Sequence, residues 1–343
     1  MLELLNTLYV TTQGAYIHLD HDTLRIEIER ETRMRVPLIH LGGVVCFGDV
    51  LISPALIHRC SDDGRFLVWL TRHGRYKGRM EGRCNGNVLL RRAQHLALSS
   101  PTVPLVIASA TVAAKVQNAR QVLLRAAREV GGGVDEAELR LAGDMLVLAL
   151  ARVQRAGTLD ELRGVEGDAA RTYFSAFDAM VRVDRESFAL DGRSRRPPRN
   201  PMNALLSLLY ALLRADCEAA LQGVGLDPQV GYLHALRPGR PALALDLMEE
   251  LRAPVADRLA LSLVNRRQVR EADFVDLPGG AVHLTDDGRR RVIAAYQERK
   301  QEEVPHRLLG RKAPLGLVPH IQARLLARNL RGDLEAYVPY VHR

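Results

Sequence analysis

The octapeptide TLRIEIER (residues 23–30) sets Leu24, Ile26 and Ile28 against Arg25, Glu27 and Glu29, apolar and polar in strict alternation. A period of two belongs to a strand with one face buried, because successive side chains leave a strand on opposite sides. Just upstream, AYIHL (15–19) is joined to it through LDHD (19–22), whose polar residues suit a tight turn. The pair predicts a half-buried hairpin. Further out, LYVTT (8–12), RMRVPL (33–38), GVVCF (43–47), RFLVWL (65–70) and GRYKGRM (74–80) are predicted strands, with one short helical stretch, SPALIHRCS (53–61), among them. Residues 1–85 are therefore expected to form a small β-rich domain.

From about residue 88 the pattern changes to long helical periods rich in Ala, Leu and Arg. VAAKVQNARQVLLRAAREV runs into GGG (131–133). DEAELRLAGDMLVLALARVQRAG follows with an acidic start and a glycine stop, the chemistry that helix ends prefer. TLDELRGVEGDAARTYFSAFDAM, NPMNALLSLLYALLRADCEAAL and RPALALDLMEELRAPVADRLALSLV continue the series, with later helices near 286–300 and 318–330. The expected fold class is α+β multidomain, a β-rich domain over 1–85 followed by a larger all-α domain over 86–343. There is no internal repeat and no low-complexity tract.

With 343 residues, 47% of them apolar, the chain can bury a substantial core. Its first residues, MLELLNTLYV, lack the basic start and small-residue cleavage site of a secretion signal, and no apolar run approaches the length of a membrane span. The expected location is the cytoplasm, with no membrane partner. Cys46, Cys60, Cys84 and Cys217 are scattered and form no C-x-x-C pair, which argues against a zinc ribbon and a disulfide framework. The net charge of +8 favours an anionic partner. Residues 1–85 hold 11 basic against 10 acidic residues, so nearly all of the excess lies beyond them. Only four of the 48 basic residues are lysines (Lys77, Lys115, Lys300 and Lys312). Arginine suits bidentate phosphate contact, although GC-rich coding produces the same ratio.

Two stretches carry chemistry. DGRSRRPPRNP (191–201) places Arg193, Arg195, Arg196 and Arg199 beside paired prolines that forbid a helix interior, which makes it either a phosphate-binding loop or a solvated linker. GYLHALRPGRPALALDLMEELR (231–252) puts His234 before a helix on which Asp246 and Glu249, three residues apart, leave the same face. A lone histidine is ordinarily a surface or satisfied core residue, and an Asp–Glu pair on a helix is ordinarily a solvated face. Here Leu243, Leu245, Leu247, Met248 and Leu251 surround Asp246, and a carboxylate in such a run requires a partner. With a third carboxylate these side chains make an open site for Mg²⁺ or Mn²⁺. Glu166 is the candidate, expected at the start of a helix and flanked by Gly164 and Gly167, where missing side chains would let a backbone or phosphate come close.

Taken in order, VEGDAARTYF, DGRSRRPPRNPMNALLSLLYALL and GYLHALRPGRPALALDLMEELR resemble the CRISPR-associated integrase and endonuclease of spacer acquisition, the metal-dependent subunit of the adaptation complex. The resemblance extends to NTLYVTTQGAYIHLDHDTLRI near the N-terminus and QARLLARNLRGDLEAYVPYV near the C-terminus, so it covers nearly the whole chain. It implies a β-rich domain used for homodimerisation and a helical catalytic domain. It also implies a metal site of Glu166, His234 and Glu249, with Asp246 as a neighbouring acid that is either a further ligand or an orienting group. Some relatives carry aspartate at the position of Glu249, and Glu250 stands directly beside it. The implied activity is metal-dependent cleavage of double-stranded and branched DNA, and insertion of prespacer DNA into a CRISPR array by attack of its 3′-hydroxyl. Arg237 and the 193–199 arginines would hold the strands, and a small ferredoxin-like subunit would bridge two dimers. Two rivals are a non-enzymatic architectural DNA binder and a helical metal-dependent phosphohydrolase. The second needs a His-Asp dipeptide on a helix, whereas His21-Asp22 falls in the predicted turn of the first domain.

Overall fold

The computed structural model describes residues 6–72, 74, 76–80, 88–190, 192–194 and 197–342. The chain divides into two compact units, Met1–Asn85 with Leu284–Glu298, and Gly86–His283 with Arg299–Arg343. The predicted hairpin lies at the centre of one of the first unit's two sheets. Strands β1 (Asn6–Val10), β2 (Ala15–Asp20), β3 (Thr23–Ile28), β4 (Glu31–Pro37), β5 (Leu41–Phe47), β6 (Val50–Ile52), β7 (Phe66–Leu70) and β8 (Tyr76–Met80) form two four-stranded sheets, in the orders β4-β3-β2-β6 and β1-β5-β7-β8.

Strands β2 and β3 are antiparallel, with Asp20 opposite Thr23, so His21 and Asp22 alone make the turn. That register sets Ile17 against Ile26 and Leu19 against Leu24, and Ile17, Leu24 and Ile26 are buried. A slip of one residue would turn the whole apolar row to solvent, which is why the alternation specifies the pairing so strongly. Strand β5 is parallel to both β1 and β7 and is buried almost throughout, as its unbroken LGGVVCF run requires. Helix α1 (Pro54–Asp62) starts where the Ser53 side chain accepts a hydrogen bond from the Leu56 N–H at 3.2 Å, with Pro54 in the first turn. Strand β6 has three residues, too few for periodicity to reveal, and was not expected.

The second unit is largely helical: α2 (Val88–Leu98), α3 (Val103–Val130), α4 (Gly133–Arg155), α5 (Leu159–Ser175), α6 (Arg185–Phe188), α7 (Pro201–Gly223), α8 (Ala242–Glu249), α9 (Arg258–Asn265), and, after α10 (Asp286–Gln301), α11 (Val318–Leu330). The 28-residue α3 is its spine. It packs on α4, α5 and α8, and Ile107, Val112, Val116 and Leu123 are among its buried residues. Gly131, at φ 69°, ends it in the left-handed conformation that a side chain disfavours.

Three expectations change. This part is not all helix: β9 (Phe274–Leu277) pairs with β10 (Ala281–Leu284), and β11 (Glu303–His306) with β12 (Arg311–Pro314). Ribbons of four-residue strands carry too little alternation to stand out beside long helices. The segment Leu284–Glu298, which helical periodicity assigned to the C-terminal domain, groups instead with the first unit. There Arg72 pairs with Asp286, and Arg289 lies over the Phe47 ring at 5.7 Å. Finally, the single helix expected over 240–264 is broken by a π-helical turn, Arg252–Asp257. Pro254 has no N–H to offer the carbonyl of Glu250, and that carbonyl accepts from Asn118 Nδ2 at 2.7 Å instead. Among the described residues, no single helix is long and apolar enough to cross a membrane.

Candidate metal centre

The loop before α8 is built around one carboxylate. Asp246 Oδ2 accepts the backbone N–H groups of Tyr232 (2.6 Å) and Leu233 (3.0 Å), while Oδ1 accepts the N–H of His234 (3.0 Å) and lies 2.7 Å from His234 Nδ1. Gly231 makes the close approach possible, since a Cβ there would stand 2.6 Å from the Ala242 backbone and 2.8 Å from Asp246 Oδ2. The buried Asp246 in its apolar run thus has the partners that burial demands. With Nδ1 facing the carboxylate, the other ring nitrogen is turned outward, and Nε2 stands 3.7 Å from Glu249 Oε1.

One helical turn after Asp246, Glu249 is 3% exposed and surrounded by cations. Arg252 reaches Oε1 at 3.0 Å and Lys115 reaches Oε2 at 2.7 Å. Burial pushes the Glu249 carboxyl up, but Arg252, Lys115 and His234 outweigh it and hold the group well below the usual carboxylate range. The same Lys115 ammonium pairs with Glu166 Oε1. Glu166 lies in the middle of α5, not at its start, and Cβ atoms at Gly164 or Gly167 would meet nothing within 4 Å. Glu166 is therefore not at a helix start as expected, and no other part of the described protein closes on either glycine. What places it at the centre is the packing of α5 on α3, which brings residues 51 apart in sequence into contact.

Sequence reasoning missed Lys115 and Arg252. Arg252 stands three residues after Glu249, a helical-neighbour spacing that was available to be read. Its guanidinium also lies 5.0 Å from the Tyr210 ring centroid, and Tyr210 donates to Asp257 Oδ1 at 2.6 Å. Burial pushes Asp257 up to about 6 against that hydrogen bond. The proposed strand-holding arginines separate. Arg193 turns inward, its guanidinium bonded to Asn203 Oδ1 and stacked 5.2 Å from the Tyr210 ring centroid. Arg199 and Arg237 are exposed, and Arg195 and Arg196 lie outside the described residues.

The donor chemistry suits a hard divalent ion. Two carboxylates already share one cation, and an imidazole nitrogen faces the same place. Among the described residues, no three His, Cys, Asp or Glu side chains are gathered tightly enough to hold an ion as they stand. The Lys115 ammonium fills the gap between Glu166 and Glu249.

Residues 8–298 match the family model for CRISPR associated protein Cas1. The chain is 57% identical over 340 residues to CRISPR-associated endonuclease Cas1 1 of Moorella thermoacetica, covering 99% of each chain. It is 50% identical over 344 residues to CRISPR-associated endonuclease Cas1 2 of Rhodospirillum rubrum, again covering 99% of each. Among solved structures, a CAS1 protein from Thermotoga maritima superposes with a TM-score of 0.82 at 25% identity, over 96% of this chain and 97% of that one.

Proposed function

The chain belongs to the Cas1 family of CRISPR-associated endonucleases, and from that premise we propose that it is a metal-dependent DNA endonuclease and integrase of CRISPR spacer acquisition. In this reading Glu166, His234 through Nε2, and Glu249 hold Mg²⁺ or Mn²⁺. The observation that carries it is the convergence of Glu166 and Glu249, 83 positions apart in sequence, on one cation, with His234 Nε2 beside them.

When bound, the ion supplies Lewis acidity to the scissile phosphate and stabilises charge on the leaving oxygen. Asp246 acts on the imidazole rather than as a ligand: its oxygens are engaged by three backbone N–H groups and His234 Nδ1, which keeps Nε2 free to coordinate. Arg252 neutralises part of the buried Glu249 charge and is held in place by the Tyr210 face. Exposed Arg237, three residues beyond His234, and Arg199 contact DNA phosphates.

Among the described residues, Tyr173 near the site is not an activated nucleophile. Tyr173 is buried, and burial holds its phenol well above its ordinary range. The attacking group is thus water in cleavage, or a prespacer 3′-hydroxyl in integration. In the second case one P–O bond forms as another breaks, and no external energy source is required. Substrates are double-stranded and branched DNA. The β-rich unit serves homodimerisation, and a small ferredoxin-like subunit bridges two dimers.

The test is cleavage of a branched duplex by the full-length protein with Mg²⁺, Mn²⁺ or a chelator. Divalent-ion-dependent cleavage that Glu166→Ala and His234→Ala each abolish, with DNA affinity and helical content retained, is expected. Binding without cleavage under any of these metals would indicate an architectural DNA binder.

A further inference from the structure

The proposed metal centre contains a cation of its own. Lys115, near the middle of α3, is mostly buried, and its ammonium pairs with both Glu166 and Glu249, the two carboxylates assigned to the divalent ion. Ion and ammonium need the same oxygens. Arg252 already lies 3.0 Å from Glu249 Oε1, so adding a dication with Lys115 still in place would crowd three cationic centres around two carboxylates.

One of the two side chains must yield, and they differ in freedom to move. The Arg252 guanidinium is stacked against the Tyr210 ring, which fixes its plane, although its side chain is about as exposed as that of Lys115. Lys115 ends in a compact ammonium on a flexible four-carbon stem. Like Arg252, it lines a cavity of about 60 Å³ bordered also by Glu166, Ala169, Tyr173 and Asp257. That cavity gives the ammonium a place to withdraw to beside the site.

We propose that Lys115 is a built-in competitor for the divalent ion, holding Glu166 and Glu249 together in the ion-free protein and leaving their oxygens when the ion enters. The inference rests on the proposed metal site and adds to it a residue that sets its affinity. A site closed by the lysine in nine of ten molecules binds its ion about tenfold more weakly than the open site does. A lysine that merely braced the fold would act in the opposite direction, since its loss would disorganise the carboxylates and weaken ion binding.

Mn²⁺ affinity of the metal-stripped full-length protein, read from the electron paramagnetic resonance of free Mn²⁺, distinguishes these cases. Lys115→Gln is expected to bind Mn²⁺ about tenfold more tightly than the native protein, and its ion-free melting temperature to fall and recover on adding Mn²⁺. Equal or weaker Mn²⁺ binding by Lys115→Gln overturns the proposal. Glu166→Gln is the control. If native binding does not depend on Glu166, the metal-site reading itself fails. If it does, and Lys115→Gln matches the native affinity, only the competitor role is lost.

A measurement on the native chain avoids dependence on how the variant folds. Reductive methylation followed by mass spectrometry should show Lys115 slow to react without Mn²⁺ and several-fold faster with it. Lys300, paired with Asp216 at 3.0 Å, serves as the internal reference that stays slow. Unchanged Lys115 reactivity on adding Mn²⁺ would contradict displacement.

Discussion

Glu249 and Glu250 are joined by one peptide bond, at the end of the same helix, and their carboxylates enter opposite surroundings. Glu249 meets Lys115, Arg252 and the His234 ring, all cationic or able to become so. Glu250 points to the other side, where Tyr337 donates to Oε1, and Gln322 Nε2 (3.1 Å) and the Tyr340 N–H (2.7 Å) donate to Oε2. Both are buried, yet burial decides the outcome only for Glu250, whose neutral donors leave it pushed up to about 7. At Glu249 formal charges reverse the sign. Side-chain type does not separate the two, whereas their partners do. One is prepared to face a cation and the other anchors the C-terminal segment.

The largest contrast is expected in catalysis. Glu249→Gln should lower divalent-ion-dependent DNA cleavage by ~10³-fold or more, several kcal/mol of transition-state stabilisation. Glu250→Gln should retain cleavage within about tenfold, provided the comparison is made where both variants are folded. Equal losses would erase the distinction.

The second contrast is in stability against pH. Because Glu250 is raised in the folded protein, the fold binds its proton more tightly than the unfolded chain does. Its stabilising effect is fully present below the ordinary glutamate value of 4.5 and is lost as pH rises through about 7, a change of about 3 kcal/mol. Denaturant unfolding between pH 4.5 and 7.5 should show this slope in the native protein and a flatter one in Glu250→Gln. For Glu249 the sign is opposite: its contribution is present above the ordinary glutamate range and is lost as acid protonates it.

Much of this was legible in the sequence, for local reasons. The alternation of Leu24, Ile26 and Ile28 specified a strand, and the spacing of Asp246 and Glu249 specified a shared helix face. The ambiguity between Glu249 and Glu250 remained because Lys115 on α3, which pairs with Glu249, and residues 322–340, which hold Glu250, are distant in sequence; only Arg252, three residues after Glu249, offered a local signal. Lys115 was hidden for the same reason, 134 positions from Glu249. One signal was nevertheless present. In a chain with only four lysines, two of them, Lys115 and Lys300, sit in carboxylate pairs that are largely buried. The break at Pro254 was also readable, since a proline inside an apolar helical run removes an N–H that the turn before it needs.

A smaller effect is expected from the loop that orients His234. Asp246→Asn should weaken Mn²⁺ binding about 10–100-fold without abolishing it, the range typical when the hydrogen-bond partner of a metal-bound imidazole is changed. Complete loss would instead make Asp246 a ligand. Smallest of all, Arg199→Ala and Arg237→Ala should each flatten the dependence of log DNA affinity on log salt by about 0.9 if one phosphate contact is lost. Arg193→Ala should leave that slope unchanged and lower stability, since its guanidinium is committed to Asn203 and Tyr210.

The central claim is that Glu166, His234 and Glu249 hold one divalent ion while Glu250 does not. Crystals of the native protein soaked in Mn²⁺, with anomalous differences measured at the manganese edge, test it most directly. The account predicts a peak at coordinating distance from the Glu166 and Glu249 carboxylates and from His234 Nε2, with the Lys115 ammonium moved away. A peak bound by Glu250, or an ion held without Glu166 and His234, would contradict it.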